Sequence, residues 1–250
     1  FNVAIGVEAS KSNTQNSNVA VGYRALMTNT TAQQQTAVGT QALQNATGGS
    51  NTAVGYASLI NNTTGSVNIA FGASSMLSNT TGTNNTGIGA NALRHFTTAS
   101  YNTALGVNAL SGASGQSTGG NNVAVGYGSL NANTTGTNNV AVGSQALDAN
   151  TTASDNIAIG YNSLGVNTTG TLNIGIGSLT GDAITTGNQN IAIGYRSLSL
   201  NQTGGENIAI GIDSQKVSTA SNNTSVGYDT LKANTTGANN TAIGKGALDA

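Results

Sequence analysis

His95 is the only histidine of this chain, and no cysteine exists to stand beside it. A catalytic triad needs a base that an acid orients. The carboxylates closest to His95 in sequence are distant, and the hydroxyls beside it, Thr97 and Thr98, belong to a recurring turn. His95 therefore reads as a surface histidine. The eight acids, Glu8, Asp148, Asp155, Asp182, Glu206, Asp213, Asp229 and Asp249, share no common offset. They form neither a glycosidase pair nor the Asp-bearing, glycine-rich calcium repeat. Gly87-Ile-Gly89 and Gly244-Lys-Gly246 resemble phosphate loops only superficially. No helix pattern follows them and the P-loop spacing is missing. The expectation is no enzyme, no metal and no cofactor.

Two other residue sets recur often enough to do chemistry. Asn-x-Ser/Thr sequons occur at Asn29, Asn62, Asn79, Asn133, Asn150, Asn167 and Asn234, among others. They would carry sugars where asparagine is glycosylated, but their regular recurrence reads as turn chemistry. Threonine rows such as Thr63 and Thr64 raise ice binding through ordered water. Adjacent threonines cannot both point from one strand face, which makes that the weakest reading.

These residues are placed by a repeat. Glycine recurs every 16 or 17 residues, from Gly6, Gly22 and Gly39 to Gly227 and Gly244, fifteen times, with one gap of 20 between Gly106 and Gly126. A unit this short cannot bury its own core and must stack on its neighbours. Before each glycine stand a β-branched residue, a small residue and an aliphatic or Phe71, which is a short strand with period-two alternation. Four places before glycine the residue is Asn in fourteen repeats, with Gln35 the exception. Asn suits the corner and can form an amide ladder along the stack. The structural signature includes Asn2 with Gly6, Asn18 with Gly22, Asn51 with Gly55, Asn156 with Gly160, Asn190 with Gly194 and Asn207 with Gly211.

The alternation leaves one choice open, and we take the β-branched and aliphatic positions to face inward, with the small residue outward. Leu or Met stands four beyond glycine in twelve repeats, for example Leu26, Met76 and Leu231, as a second core contact. Tyr follows glycine directly at Tyr23, Tyr56, Tyr127, Tyr161, Tyr195 and Tyr228. The corner position favours packing over a surface stripe. After the glycine a second short strand is expected, then a Thr-rich turn ends the coil, and Gly65, Gly136 and Gly237 are expected to close it with positive φ. The fold class is all-β: a parallel β-roll or β-solenoid of about fifteen coils of 16 to 17 residues, one repetitive domain over 1–250. Stacked at the inter-strand spacing, fifteen coils make a rod about 70 Å long.

Composition narrows the partners. Charged residues are 6% of the chain and the net charge is -1, so no basic field is offered to nucleic acid or to an anionic membrane. No charge at all occurs between Arg94 and Asp148, and proline is absent, as suits a strand-rich backbone. No apolar run is long enough to insert in a membrane. The chain begins at Phe1 without a signal peptide and stops in mid-repeat at Ala250, which reads as a mature segment or a fragment. Thin coils favour oligomerisation.

The phrases Asn2-Val-Ala-Ile-Gly6 and Asn-Ile-Ala-Ile-Gly at 156–160, 190–194 and 207–211 resemble the head repeats of YadA-like trimeric autotransporter adhesins. Phrases such as Asn51-Thr-Ala-Val-Gly-Tyr56 are also similar to repeats in phage tail fibres. The resemblance covers essentially the whole chain. Asn stands one place nearer glycine than in the family, and the repeat is longer. The resemblance implies a left-handed parallel roll, a homotrimer or fibre, and an extracellular, cell-surface or virion-surface location. The expected function is a non-enzymatic adhesin head segment for multivalent attachment, its receptor, matrix or glycan unspecified. A tail-fibre shaft, a self-assembling extracellular filament and an ice-binding solenoid are the alternatives. The expected recognition loop is the three-residue insertion in 111–120, with Ser111, Gly112, Ser114, Gln116, Ser117 and Thr118, bulging from the scaffold. The irregular arms 178–181 and 212–221 are secondary candidates.

Overall fold

Each Asn-to-Gly phrase folds as a short strand because its two ends cannot continue one. The residue five before glycine is left-handed (Gln189 has φ 58°), and the glycine itself sits near φ +130°. The computed structural model describes residues 1–113 and 117–249. Among these, every regular element is a strand of an Asn-to-Gly phrase, and no helix is long and apolar enough to cross a membrane. The segment after each motif glycine is turn rather than the second short strand expected there. The chain is all-β, a parallel β-solenoid with about 17 residues per turn.

Contacts divide it into two units, Phe1–Ala124 and Val125–Ala250. The first holds β1 (Asn2–Ile5), β2 (Asn18–Val21), β3 (Thr36–Val38), β4 (Thr52–Val54), β5 (Ile69–Phe71), β6 (Thr86–Ile88) and β7 (Thr103–Leu105). Each pairs in parallel with the next. The dividing point falls within β8 (Val123–Val125). The second unit holds β9 (Val140–Val142), β10 (Ile157–Ile159), β11 (Ile174–Ile176), β12 (Ile191–Ile193), β13 (Ile208–Ile210), β14 (Thr224–Val226) and β15 (Thr241–Ile243), again paired consecutively. Register is strict: Ile191, Ala192 and Ile193 face Ile208, Ala209 and Ile210.

The strands lie the opposite way round from our sequence expectation. The small middle residue is inside, with Ala20, Ala37, Ala158 and Ala192 fully buried. The β-branched and aliphatic residues on either side are exposed or half-buried. Volume explains the reversal. Leu26, Leu43, Leu164 and Leu198 already fill the interior together with buried asparagines, leaving room only for a methyl group at the strand. At Gly175, even an added Cβ would come within 2.6 Å of Ser163 Oγ and 2.9 Å of Leu164 Cγ.

The buried leucines adopt left-handed backbone, with φ 51° at Leu26 and Leu164. That conformation costs about 1–2 kcal/mol for a side chain with Cβ, against about 1.5–3 kcal/mol from burying leucine. Burial wins. The backbone is held by bonds to the coils on either side: Arg24 N donates to Val7 O at 3.0 Å, and Leu26 N to Ala42 O at 3.0 Å.

The motif glycines are required twice over. Gly22 has φ 132°, and an added Cβ would sit 2.5 Å from Gly39 O. The turn glycines Gly65, Gly136 and Gly237 do not have the positive φ expected of them. Space is what selects glycine there, since a Cβ at Gly237 would meet Asn234 Oδ1 at 2.5 Å.

Candidate binding surface

The signature asparagines are wall rather than surface. Asn18, Asn51, Asn156, Asn190 and Asn207 are buried, while Asn2, in β1, is exposed. Asn190 Nδ2 donates to Asn173 Oδ1 at 3.0 Å and Gly204 O at 2.9 Å, and its Oδ1 accepts from Asn207 N and Nδ2, both at 3.1 Å. Asn18 N donates to Asn2 Oδ1, and Asn68 N to Asn51 Oδ1. The partner glycines Gly6, Gly22, Gly55, Gly160, Gly194 and Gly211 stack carbonyl against Cα at the corner.

A second asparagine column holds the sequons named above, with Asn234 half-buried near the end of the chain. Asn29, Asn62, Asn79, Asn133, Asn150 and Asn167 are fully or almost fully buried. Asn62 Nδ2 donates to Gly65 O at 2.9 Å and Asn167 Nδ2 to Gly170 O at 2.8 Å. Buried amides of this kind are closed to glycosylation in the folded chain, and turn chemistry is their role. The threonine row is likewise engaged: Thr47 Oγ1 donates to Thr63 O at 2.9 Å and Thr134 Oγ1 to Thr151 O at 2.9 Å.

The insertion does not stand clear of the scaffold along its described part. Ser111, Gly112 and Ser117 are buried and Thr118 is exposed; Ser114 and Gln116 lie outside the described residues. His95 stitches both limbs, its N donating to Ser111 O at 2.9 Å and its O accepting from Ser117 N at 3.1 Å. Phe96 bridges to Ser117 and is buried where other coils carry the second asparagine. A Cβ on Gly112 would lie 3.0 Å from the Phe96 ring. Trading an amide for a phenyl ring removes the side-chain bond to the carbonyl three residues on, and Gly112 and Ser117, on the flanks of the insertion, lie against this coil instead.

The two irregular arms are compensated core changes. Gly181 stands in the leucine position and Ile184, fully buried, in the asparagine position, so the apolar volume has moved three residues along. Gln215 replaces the leucine of its coil and donates to Ile208 O at 2.9 Å and Ser225 Oγ at 2.9 Å. Ser225 takes the strand position that Ala holds elsewhere, so polar meets polar.

Ionisable groups are dispersed. Among the described residues, no three His, Asp or Glu side chains gather as a metal group would. Burial, then the Arg94 charge, lowers the pKa of His95 below its ordinary value. Burial raises Asp148 and Asp182. Hydrogen bonds from Lys11 first and Arg24 second, at 2.9 and 2.7 Å, hold Glu8 low. A cleft of about 450 Å³ is lined by Lys216, Val217, Lys232, Ala233 and Asp249. Its ammonium groups already face Asp213 and Asp229, at 3.6 and 2.9 Å.

What remains open to a partner is the outer sheet face. In the first unit it exposes Ile69, Phe71, Ile88 and Leu105, and in the second Ile159, Ile176 and Ile243. Tyr23, Tyr56, Tyr127, Tyr161, Tyr195 and Tyr228 are exposed as well, a surface stripe rather than the packing expected of them. Sequence reasoning missed this surface because it put the aliphatic pair inside. Comparison with protein-family models, curated proteins and solved structures finds no match.

Proposed function

We propose that this chain is a non-enzymatic, extracellular attachment segment of the adhesin-head kind, a homotrimer whose subunits meet through the outer sheet face. One observation carries the reading: an apolar or β-branched side chain stands on both outer positions of successive strands, exposed or half-buried, in a protein with few charges. Contiguous apolar surface of this kind marks an interaction site. Burying it between like chains also supplies the thick core that a 17-residue coil lacks. The resemblance of the repeat phrases to trimeric adhesin heads supports three copies and a cell-surface or virion-surface location. Contacts repeated along the stack would then combine through avidity.

A tail-fibre shaft uses the same assembly with recognition elsewhere, and a filament would grow without limit. Ice binding is the weakest alternative, because the Thr47 and Thr134 hydroxyl protons are directed at backbone carbonyls. Light scattering behind size exclusion, at several concentrations, tests the proposal. A constant mass of three chains is expected. A monomer overturns it, and mass that climbs with concentration replaces it with the filament.

A further inference from the structure

The tyrosine stripe has a step of its own. In the second unit, the residues directly after the motif glycines read Tyr127, Ser144, Tyr161, Ser178, Tyr195, Ile212, Tyr228 and Lys245. Tyrosine stands on every second coil, and the four rings are 44–59% exposed. The backbone there is a continuous parallel ladder. Gln145 N donates to Tyr127 O at 2.9 Å, Asn162 N to Ser144 O at 3.0 Å, Leu179 N to Tyr161 O at 2.9 Å and Arg196 N to Ser178 O at 3.2 Å. Asp213 N to Tyr195 O at 3.0 Å, Asp229 N to Ile212 O at 3.0 Å and Gly246 N to Tyr228 O at 2.9 Å continue it. Two rungs of such a ladder measure about 9.6 Å, so four tyrosines span about 29 Å.

A rigid row of amphipathic rings at that step fits a polymer that presents the same apolar face at every second unit. A β-1,4-linked pyranose chain does so. Successive sugars are flipped by about half a turn, so every second ring shows the same C–H face, and the disaccharide repeat is close to two strand spacings. Between Tyr127 and Tyr195 the short side chains Ser144 and Ser178 leave room for the intervening sugars, and between Tyr195 and Tyr228 the exposed Ile212 offers the sugar an apolar contact. Gln145, Asn162 and Arg196, next along the coil, offer donors to ring hydroxyls. The polymer should be uncharged, because the charged residues at the next position along these coils are paired, Arg196 with Asp213 and Asp229 with Lys232, and leave no field of one sign. We propose that the Tyr127, Tyr161, Tyr195 and Tyr228 row binds a linear, uncharged β-1,4-linked polysaccharide along the stack, one disaccharide per two coils.

A self-interface explains the row less well. The aliphatic face repeats on every coil, whereas tyrosine alternates with Ser144, Ser178 and Ile212, one of the three apolar. Arg196 lies over the Tyr195 ring at 5.6 Å and Lys245 over Tyr228 at 5.7 Å. Tyr127 and Tyr161 should therefore be the stronger stacking sites. The inference deepens the attachment reading and rests on it, naming its surface and its ligand class.

The test is depletion of the full chain from solution by microcrystalline cellulose and by chitin, with amylose, the α-1,4 polymer, as control. Retention on at least one β-1,4 polymer and not on amylose is expected. Tyr161→Ala should weaken it about three- to tenfold. Replacing all four tyrosines by Ala should abolish it, and replacing all four by Phe should preserve it. The side chains are exposed, so circular dichroism should show every variant folded. Failure to bind either polymer, equal retention on amylose, or loss with Phe as great as with Ala overturns the proposal. So does a change of oligomeric mass in the Ala variant, which would place the row in the self-interface. A three-chain mass without retention removes the ligand and leaves the attachment segment standing; retention by a monomer removes the trimer and keeps the ligand.

Discussion

Gly143 illustrates how little freedom a stacked coil allows one residue. Its φ is 134°, and an added Cβ would sit 2.6 Å from Gly160 C, a backbone atom that cannot swing away. Gly143→Ala should destabilise the protein by about 2–4 kcal/mol in urea unfolding, strain and overpacking together. Asn190 is constrained by polarity instead. Its amide donates into the wall, and a carboxylate would set acceptor against acceptor at Asn173 Oδ1 and Gly204 O. Asn190→Asp should cost about 3 kcal/mol or more at neutral pH. Burial raises the folded pKa of the new acid, so the folded chain takes up the proton first and the loss should shrink as pH falls. His95 has the opposite sign. Its folded pKa lies below its ordinary value of 6.5, so the unfolded chain is protonated first. Its contribution to stability is therefore complete above that pH and declines as pH drops through it, levelling off once the folded imidazole is charged. A plot of Tm against pH between 8 and 5 should show this decline, and His95→Gln should flatten it. The raised Asp148 and Asp182 act lower, above their ordinary value of 3.8, and favour the folded state as they protonate.

At the scale of the strand and its coil, packing is a contest for volume. Ala192, Leu198 and Ala209 form one buried cluster, with Ile193 outside it. Leu198→Ala should cost about 2–5 kcal/mol through a cavity, and Ala192→Val about 1–3 kcal/mol through overpacking. Ile193→Thr, one residue along and half-buried, should change stability far less at concentrations too low for assembly. Denaturation midpoints of the three variants check the order. Were Ile193 inside and Ala192 outside, the order would reverse. Strand positions were legible in the phrase Asn-Ile-Ala-Ile-Gly, because corner residues bound it at both ends. The face was not, since period two is satisfied either way round. The arms at 178–181 and 212–221 read as irregularities, yet Ile184 and Gln215 restore volume and hydrogen bonding inside their own coils.

Assembly is the property of the whole molecule on which the functional reading turns. An aliphatic face that meets like chains should tolerate polar replacement in the subunit and fail in the oligomer. Ile159→Asn combined with Ile176→Asn, both exposed, should leave the circular dichroism spectrum unchanged and reduce a three-chain mass to one. An unchanged mass would move the interface elsewhere. Both changes leave the side chains of the Tyr127, Tyr161, Tyr195 and Tyr228 row unaltered, so loss of assembly and loss of glycan retention can be read separately in the same protein.

The repeat by itself determined the parallel solenoid, the place of every strand and the need for glycine at each corner. Stacking imposes the same local geometry once per turn, and each turn writes it again in the sequence. Only the tertiary structure decided what lies inside. Burial depends on which side chains the rest of the coil brings over the strand, and no period records that. Leu164 and the paired asparagines such as Asn156 and Asn167 take the interior. Only a small residue, most often alanine, fits beside them, and the aliphatic side chains and tyrosines are left to the outer surface.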